Sequence, residues 1–237
     1  MTGNAAATVH SMYPAGQREP VFYSSLARDT EACRELLVAT LWEHFLARES
    51  PPWTGGQTSP GALLPLKVVA DPLGRPQLLL GDSRGPAISF SEAGGKVWAA
   101  LSGSGSEVGI DVAGAGEFPG DYPVDRVFLP EELQHALRLT GGDQSTACAL
   151  LWSVKEAFVK ALGCAFHRVE PRQVRVYPAA AQASGVQDGY DFPVTLSTKT
   201  QLQFQPSASL PTWVRSRPMG QLWLSIAQLD RRPAAHE

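Results

Sequence analysis

No apolar run in this chain approaches the roughly 20 residues a membrane-crossing helix needs, and its first residues lack the basic-then-apolar order of a secretory leader. Charge is sparse as well. Charged residues make up 18% of the 237, and their balance is only −3. With no long basic run, there is no electrostatic footprint for nucleic acid. Cysteine is nearly absent: Cys33, Cys148 and Cys164 are scattered, with no C-x-x-C spacing. They read as core or incidental thiols of a reducing compartment. These absences leave a soluble cytoplasmic protein, partnered by neither membrane nor nucleic acid, as the expectation. What the chain does have is apolar content, 43% of residues, together with 19 prolines and 22 glycines. That combination argues for a packed core interrupted by many turns, as one large domain or two small ones.

The segment from Leu151 to Gly163 (LWSVKEAFVKALG) carries the most information. At about 100° per residue, Ala147, Leu150, Leu151, Val154, Ala157, Phe158 and Ala161 share one apolar face. Trp152, Lys155, Glu156 and Lys160 fall on the opposite side. Asp143 or Ser145 supplies the N-cap, and Gly163 ends the helix where a left-handed residue is wanted. A core face explains the alanines, Leu, Val and Phe. It does not explain a carboxylate held between two lysines beside a tryptophan. The plain alternative is a surface helix with a Glu156–Lys160 pair, worth a few tenths of a kcal/mol.

Upstream, Lys96 to Leu101 reads as a strand, Ser102 to Ser106 as a turn, and Glu107 to Val112 as the returning strand. Period-2 alternation puts Val108, Ile110 and Val112 on one face and Glu107, Gly109 and Asp111 on the other. An acid at a strand end, beside a glycine on the same face, suits a close-approaching anionic ligand and its metal. The plain alternative has Asp111 starting the turn at Ala113-Gly114.

Gly109-Ile110-Asp111, followed some forty residues later by Trp152-x-x-Lys155-Glu156-Ala157-x-x-Lys160, resembles the signature pair of the 4′-phosphopantetheinyl transferases in their larger, surfactin-synthetase-activating (Sfp-type) form. Three further segments resemble family motifs in the family's order. Gly74-Arg75-Pro76 is similar to its early G-K/R-P motif, Phe90-Ser91-Glu92-Ala93-Gly94 to its serine-histidine segment, and Phe128 to Leu133 to its F-x-x-x-E stretch. The five together run from about residue 66 to 166.

The resemblance implies an α+β fold of two pseudo-symmetric halves, each a small antiparallel sheet packed with helices, with coenzyme A in the cleft between them. It implies transfer of phosphopantetheine from coenzyme A to a serine of an acyl or peptidyl carrier protein, releasing 3′,5′-ADP, by a protein that is usually monomeric. Asp111 and Glu156 would hold Mg2+, while Lys155 and Lys160 would balance charge on the departing phosphate. Glu132, with Glu131 as the neighbouring candidate, would take the serine proton. Gly74, Arg75 and Pro76 would line the nucleotide end of the cleft, with Ser91 and Glu92 at the coenzyme A site. On this reading, removing either lysine costs turnover and little stability.

Two positions depart from the family pattern. Ala113 stands where many relatives have a third acid, a position that water can fill. Glu92 stands where relatives have a histidine that meets the 3′-phosphate of coenzyme A, and a carboxylate there repels a phosphate unless Arg75, Arg84 or Lys96 offsets it. These departures keep a second reading open, a degenerate relative that binds carrier protein or nucleotide without transfer. A third, an unrelated magnesium-dependent phosphotransferase or a scaffold, matches the motifs only by accident.

The expected layout is a flexible extension over residues 1–18, an N-terminal half over 19–112, a C-terminal half over 113–229 and a disordered tail over 230–237. Glu31 to Ala47 is expected to be an amphipathic helix with Leu36, Leu37, Thr40, Leu41, His44 and Phe45 on its core stripe, His44 as a core histidine. Residues 50–61 and 178–189 read as loops, Leu66–Asp71 as a strand, and Pro130–Leu139 as a helix with proline in its first turn. Gln173–Tyr177, Val194–Ser197, Gln201–Gln205 and Gln221–Ala227 read as strands. From Lys199 onward Arg215, Arg217, Arg231 and Arg232 oppose only Asp230 and Glu237, while acids dominate residues 19–49. Carrier proteins served by this family are usually acidic, so a basic surface there would matter; the alternative is scattered surface arginines.

Overall fold

A computed structural model describes residues 7–17, 19–48, 66–103, 105–164, 166, 168–180, 189–198, 200 and 212–230. The chain order is β1 (His10–Met12), β2 (Val21–Ala27), α1 (Cys33–Arg48), β3 (Leu66–Ala70), β4 (Pro76–Leu80), β5 (Ser83–Arg84), β6 (Ile88–Ala93), β7 (Lys96–Leu101) and β8 (Ser106–Gly114). It continues with α2 (Val124–Val127), α3 (Pro130–Leu139), α4 (Gln144–Ala161), β9 (Val174–Val176), β10 (Tyr190–Leu196), β11 (Thr212–Met219) and β12 (Leu222–Asp230). The fold is α+β. A four-stranded antiparallel sheet runs β1-β2-β7-β6, a five-stranded one β8-β12-β11-β10-β9, and a small one β3-β4-β5. Helix α1 packs on β2 and β7, and α4 packs on β8 and β12, so each half is a sheet with a helix on it.

The two main sheets meet through β8. Val108, Ile110 and Val112 pack with Leu224 and Ile226 of β12 against Tyr23, Trp98 and Ala100 of the first sheet. The opposite face of β8 meets α4. At Gly109 a Cβ would lie 1.9 Å from the Ala157 carbonyl oxygen, so only glycine lets helix and strand approach this closely. The glycine beside Asp111 therefore serves helix packing and not the approach of a ligand. The free edge of β8 is met by side chains of β6. Ser89 Oγ accepts the Ile110 N–H at 3.2 Å and Ser91 Oγ the Val112 N–H at 3.1 Å, satisfying edge donors that would otherwise be buried unpaired.

Helix α4 begins at an Asp143 cap, whose carboxylate accepts the Thr146 N–H at 2.7 Å; Ser145 instead donates to the Phe118 carbonyl. It ends in a Schellman turn, with Gly163 at φ 76° and the Cys164 and Gly163 amides bonded to Val159 and Lys160 carbonyls. It is buried nearly all round, Lys155 included. Trp152 packs against Phe118 and Phe166. The amphipathic reading of this helix was too simple, because it is sandwiched between β8/β12 and α3 with the strands beyond.

Several expectations shift by physical detail. On α1 the buried residues are Leu37, Val38, Leu41, Trp42 and Phe45, while Leu36 is exposed, so the core stripe is rotated by about one residue. His44 sits at the edge of that core, edge-on to Phe22. Strand β1 pairs with β2 inside the stretch 1–18 expected to be an extension. All of β8 hydrogen bonds to β12, so it joins the C-terminal sheet and crosses the 112/113 division. The expected strand Gln201–Gln205, the loop at 50–61 and the tail from 231 lie outside the described residues. Arg215 bonds Asp191 at 2.7 Å and Arg217 donates to the Tyr23 hydroxyl at 2.8 Å, so neither belongs to an unengaged basic surface.

Candidate active site

A cavity of about 810 Å3 opens between the halves. Its walls are the first turns of α1, β3, the Gly74-Arg75-Pro76 turn, the start of β6, and the C-terminal end of α4 with Lys160, Gly163 and Cys164. The turn is built by Asp71, whose carboxylate accepts the N–H groups of Leu73 and Arg75 at 2.8 and 2.9 Å, while Gly74 takes φ 80°. Gly74, Arg75 and Pro76 line this cavity.

At the α4 end, Lys160 Nζ bonds Asp111 Oδ1 at 2.7 Å and the Ile110 carbonyl at 3.2 Å. Ser91 Oγ donates to the same carboxylate oxygen at 2.9 Å. Asp111 is buried, and burial pushes its carboxyl above the usual range against the pull of Lys160; the charge of Glu117 adds to the rise. Glu156 lies one helical turn before Lys160. Burial pushes its carboxyl up to about 7, with Lys160 opposing the rise and the Asp111 charge adding to it. The charge of the strand acid thus reaches the helix acid, while Lys160 bonds the strand acid directly. Ser91 orients Asp111 and lies behind the cavity wall, where Ser89 and Phe90 are the lining residues.

Lys155 and Glu132 occupy a different place. They form an ion pair of 2.8 Å with side chains 0% and 1% exposed. Lys155 also donates to the Pro171 and Val174 carbonyls at 2.9 and 2.7 Å. Glu132 accepts the Leu129 N–H at 2.9 Å and the Val176 N–H at 2.8 Å. Burial pulls the Lys155 ammonium down, and Glu132 opposes that. Neither residue lines the cavity, and nor do Asp111 and Glu156, which adjoin it behind Lys160. The site residues thus separate into Lys160 at the cleft, with Asp111 bonded to it and Glu156 a turn earlier on α4, and a Glu132–Lys155 pair beneath α3 and β9.

Arg75 is engaged as well. It binds Glu107, which Arg84 also bonds at 2.9 Å, and reaches the Ala161 carbonyl at 3.4 Å, passing so close under Gly163 that a Cβ there would meet its guanidinium at 2.4 Å. It therefore closes the end of α4 onto β4 and β8 while lining the cleft. Arg75 and Arg84 go to Glu107, and Lys96 stacks over Trp98, so none of the three offsets Glu92. Arg28 and Arg34 do, at 3.2 and 2.8 Å. Sequence reasoning missed this bracket because both arginines lie outside the recognised motifs, and pairing β6 beside β7 and β2 is what brings them to Glu92.

Residues 107–213 match the family model described as the 4′-phosphopantetheinyl transferase superfamily. Over these residues, under half of the chain, the sequence is similar to that superfamily. The matched stretch contains Asp111, Glu132, Lys155, Glu156 and Lys160, whereas the Gly74-Arg75-Pro76 and Phe90–Gly94 motifs lie outside it. Among solved structures, the Chronobacterium ammoniagenes ACPS-CoA complex is 19% identical with a TM-score of 0.42, over 54% of this chain and 98% of that one. The Thermotoga maritima holo-[acyl-carrier-protein] synthase (AcpS) is 21% identical with a TM-score of 0.36, over 53% and 64%. No curated protein matches the chain.

Proposed function

We propose that this protein transfers the 4′-phosphopantetheine group from coenzyme A to a serine of an acyl or peptidyl carrier protein, releasing 3′,5′-ADP, as a phosphopantetheinyl transferase of the two-half, Sfp-type form. The observation that carries the reading is the Asp111–Lys160 bond at the end of the inter-half cleft, with Glu156 one helical turn before that lysine and within reach of the Asp111 charge, inside the segment that the superfamily model matches. We take it to act as a cytoplasmic monomer. The cytoplasmic part rests on the three free thiols, Cys33, Cys148 and Cys164.

Two mutually repelling carboxylates form a hard-oxygen donor set suited to Mg2+, which accepts a few carboxylates together with phosphate oxygens and water. Among the described residues no group of three or more His, Cys, Asp and Glu is gathered for a metal, and two carboxylates with phosphate oxygens meet the need. The ion, when bound, supplies positive charge to the pyrophosphate of the donor. Ser91 fixes the Asp111 carboxylate, and Lys160 reaches the cleft to stabilise charge on the leaving phosphate. The serine of the carrier attacks the phosphorus bearing the pantetheine arm, the phosphoanhydride bond breaks, and 3′,5′-ADP departs.

We assign Glu132 and Lys155 to holding α3, α4 and β9 together. Both Glu132 oxygens are occupied by amides or by Lys155, so the carboxylate of that stretch open to a serine hydroxyl is Glu131, exposed on the same helix. The competing reading, a relative that binds without transfer, draws on Glu92 and Ala113. The arginine bracket neutralises the first of these. The test is incubation of a carrier protein with coenzyme A, magnesium and this protein. A carrier mass gain of one phosphopantetheine group with equimolar 3′,5′-ADP supports transfer, and nucleotide binding without a mass gain supports the competing reading.

A further inference from the structure

One wall of the cleft has little packing of its own. Strands β3, β4 and β5 form a sheet separate from the two larger ones. Strand β4 is anchored on one side, where Leu78 and Leu80 join the core beneath α1. Strand β3 has no buried residue, and Lys67, Val68 and Ala70 are exposed. All five of its residues border the cavity. A small antiparallel pairing of this kind is marginal alone and depends on what it is held against.

What ties this wall to the other half is one carboxylate. Glu107 lies near the start of β8, where pairing with Leu229 of β12 fixes its place. Arg84, in β5, reaches both of its oxygens, at 2.9 and 3.1 Å, and Arg75, just before β4, bonds Oε2. The two arginines flank β4 in sequence, so a single acid of the C-terminal sheet ties down both ends of that strand. Arg75 adds a bond to the Ala161 carbonyl at 3.4 Å and fills the space under Gly163. The Arg75 and Glu107 side chains are only 17% and 14% exposed, so water screens the pair less than it screens a surface pair. Neither Glu107 nor Arg84 borders the cavity.

We propose that Glu107 is a positioning residue for the cleft: from the C-terminal half it holds the β3–β5 sheet in place as the wall against which the donor binds. That the donor is coenzyme A rests on the transferase reading, and the holding of the wall does not. Without the Glu107 charge, two guanidiniums are left around a neutral amide, and their repulsion drives the wall away from α4. The wall must then be ordered again each time a ligand binds, a cost that falls on affinity and not on the chemical step.

The experiment measures hydrogen exchange of the β3 and β4 amides in the wild-type protein, Glu107→Gln and Arg84→Ala, with and without 3′,5′-ADP, together with KM and kcat for coenzyme A. Glu107→Gln is expected to speed exchange in β3 and β4 by ~10-fold or more, the size of a lost charge-assisted bond, while α1 and β7 keep their protection. Arg84→Ala should do the same to a smaller degree, and it removes no group that borders the cleft. Saturating 3′,5′-ADP should restore protection in both. KM should rise ~10-fold in Glu107→Gln with little change in kcat. Unchanged exchange in β3 and β4 overturns the assignment. So does faster exchange throughout the chain, which would make Glu107 a general support of the fold, or faster local exchange with KM at its wild-type value. A protein that transfers nothing defeats the transferase reading, and the exchange pattern still decides the role of Glu107.

Discussion

Glu132 and Lys155 close a 2.8 Å ion pair with essentially no exposure to solvent, joining α3 to α4. The pair has consequences opposite to those of a surface lysine on a helix. Breaking one partner of a buried pair leaves an uncompensated charge and costs about 3–5 kcal/mol. Lys155→Ala and Glu132→Ala are each expected to lower the denaturant midpoint by that order. The double variant Glu132→Leu with Lys155→Met should lose less than the sum of the single losses. A denaturation series in which Lys155→Ala is as stable as the wild type would show that the pair is not held as described.

Lys160 behaves differently, because its side chain is 27% exposed and lines the cleft. Lys160→Ala leaves the buried Asp111 without its cation, so it should cost about 1–3 kcal/mol in stability and at least ~100-fold in turnover. Comparing its melting profile with its rate separates the two effects. A rate near that of the wild type would return Lys160 to an ordinary helix surface.

At Gly109 no side chain fits, since a Cβ would lie 1.9 Å from the Ala157 oxygen and 2.6 Å from the Ala161 amide nitrogen. Both contacts are backbone, so relief requires moving α4 off β8. Gly109→Ala should destabilise by ~3 kcal/mol or more. Equilibrium unfolding reads this directly, and a loss under about 0.5 kcal/mol would contradict the packing.

The cleft carboxylates make stability depend on pH. Glu156 titrates at about 7 in the folded chain against 4.5 for an unperturbed group, and Asp111 is shifted the same way. A raised carboxyl pKa means that the folded state holds its proton more tightly than the unfolded state. Stability from Glu156 is therefore greatest below pH ~4.5, falls as pH rises toward 7, and levels off above it. Melting temperature measured with a chelator present should show this slope, and Glu156→Gln should flatten it. A slope of equal size in Glu156→Gln would assign it to other groups.

Legibility in the sequence followed the range of the interaction. Helix α3 and strand β7 have the bounds their local patterns predict, because proline at N1 and a short continuous apolar run bounded by turn residues are local signals. Asp111 and Glu156 were paired through the family resemblance, since neither strand alternation nor helix period relates a residue of β8 to one of α4. The burial of Lys155 was not legible, since it depends on α3 and β9 closing over a helix that looks amphipathic when taken alone. Nor was the purpose of Gly109 or the Arg28–Glu92–Arg34 bracket legible, because each is set by an element distant in sequence. Strand β11 escaped notice because Arg215 and Arg217 interrupt its apolar alternation, and their partners Asp191 and Tyr23 come from other strands.

The central claim is that Asp111 and Glu156 act together in phosphopantetheine transfer. Its most direct test is the intact mass of a carrier protein after incubation with coenzyme A, magnesium and either the wild-type chain, Asp111→Ala, Glu156→Ala or the double variant. The account predicts full conversion by the wild type, none on the same timescale by either single variant, and a double variant no worse than the singles, because both residues act through one site. Conversion by both single variants at rates close to the wild type would contradict it.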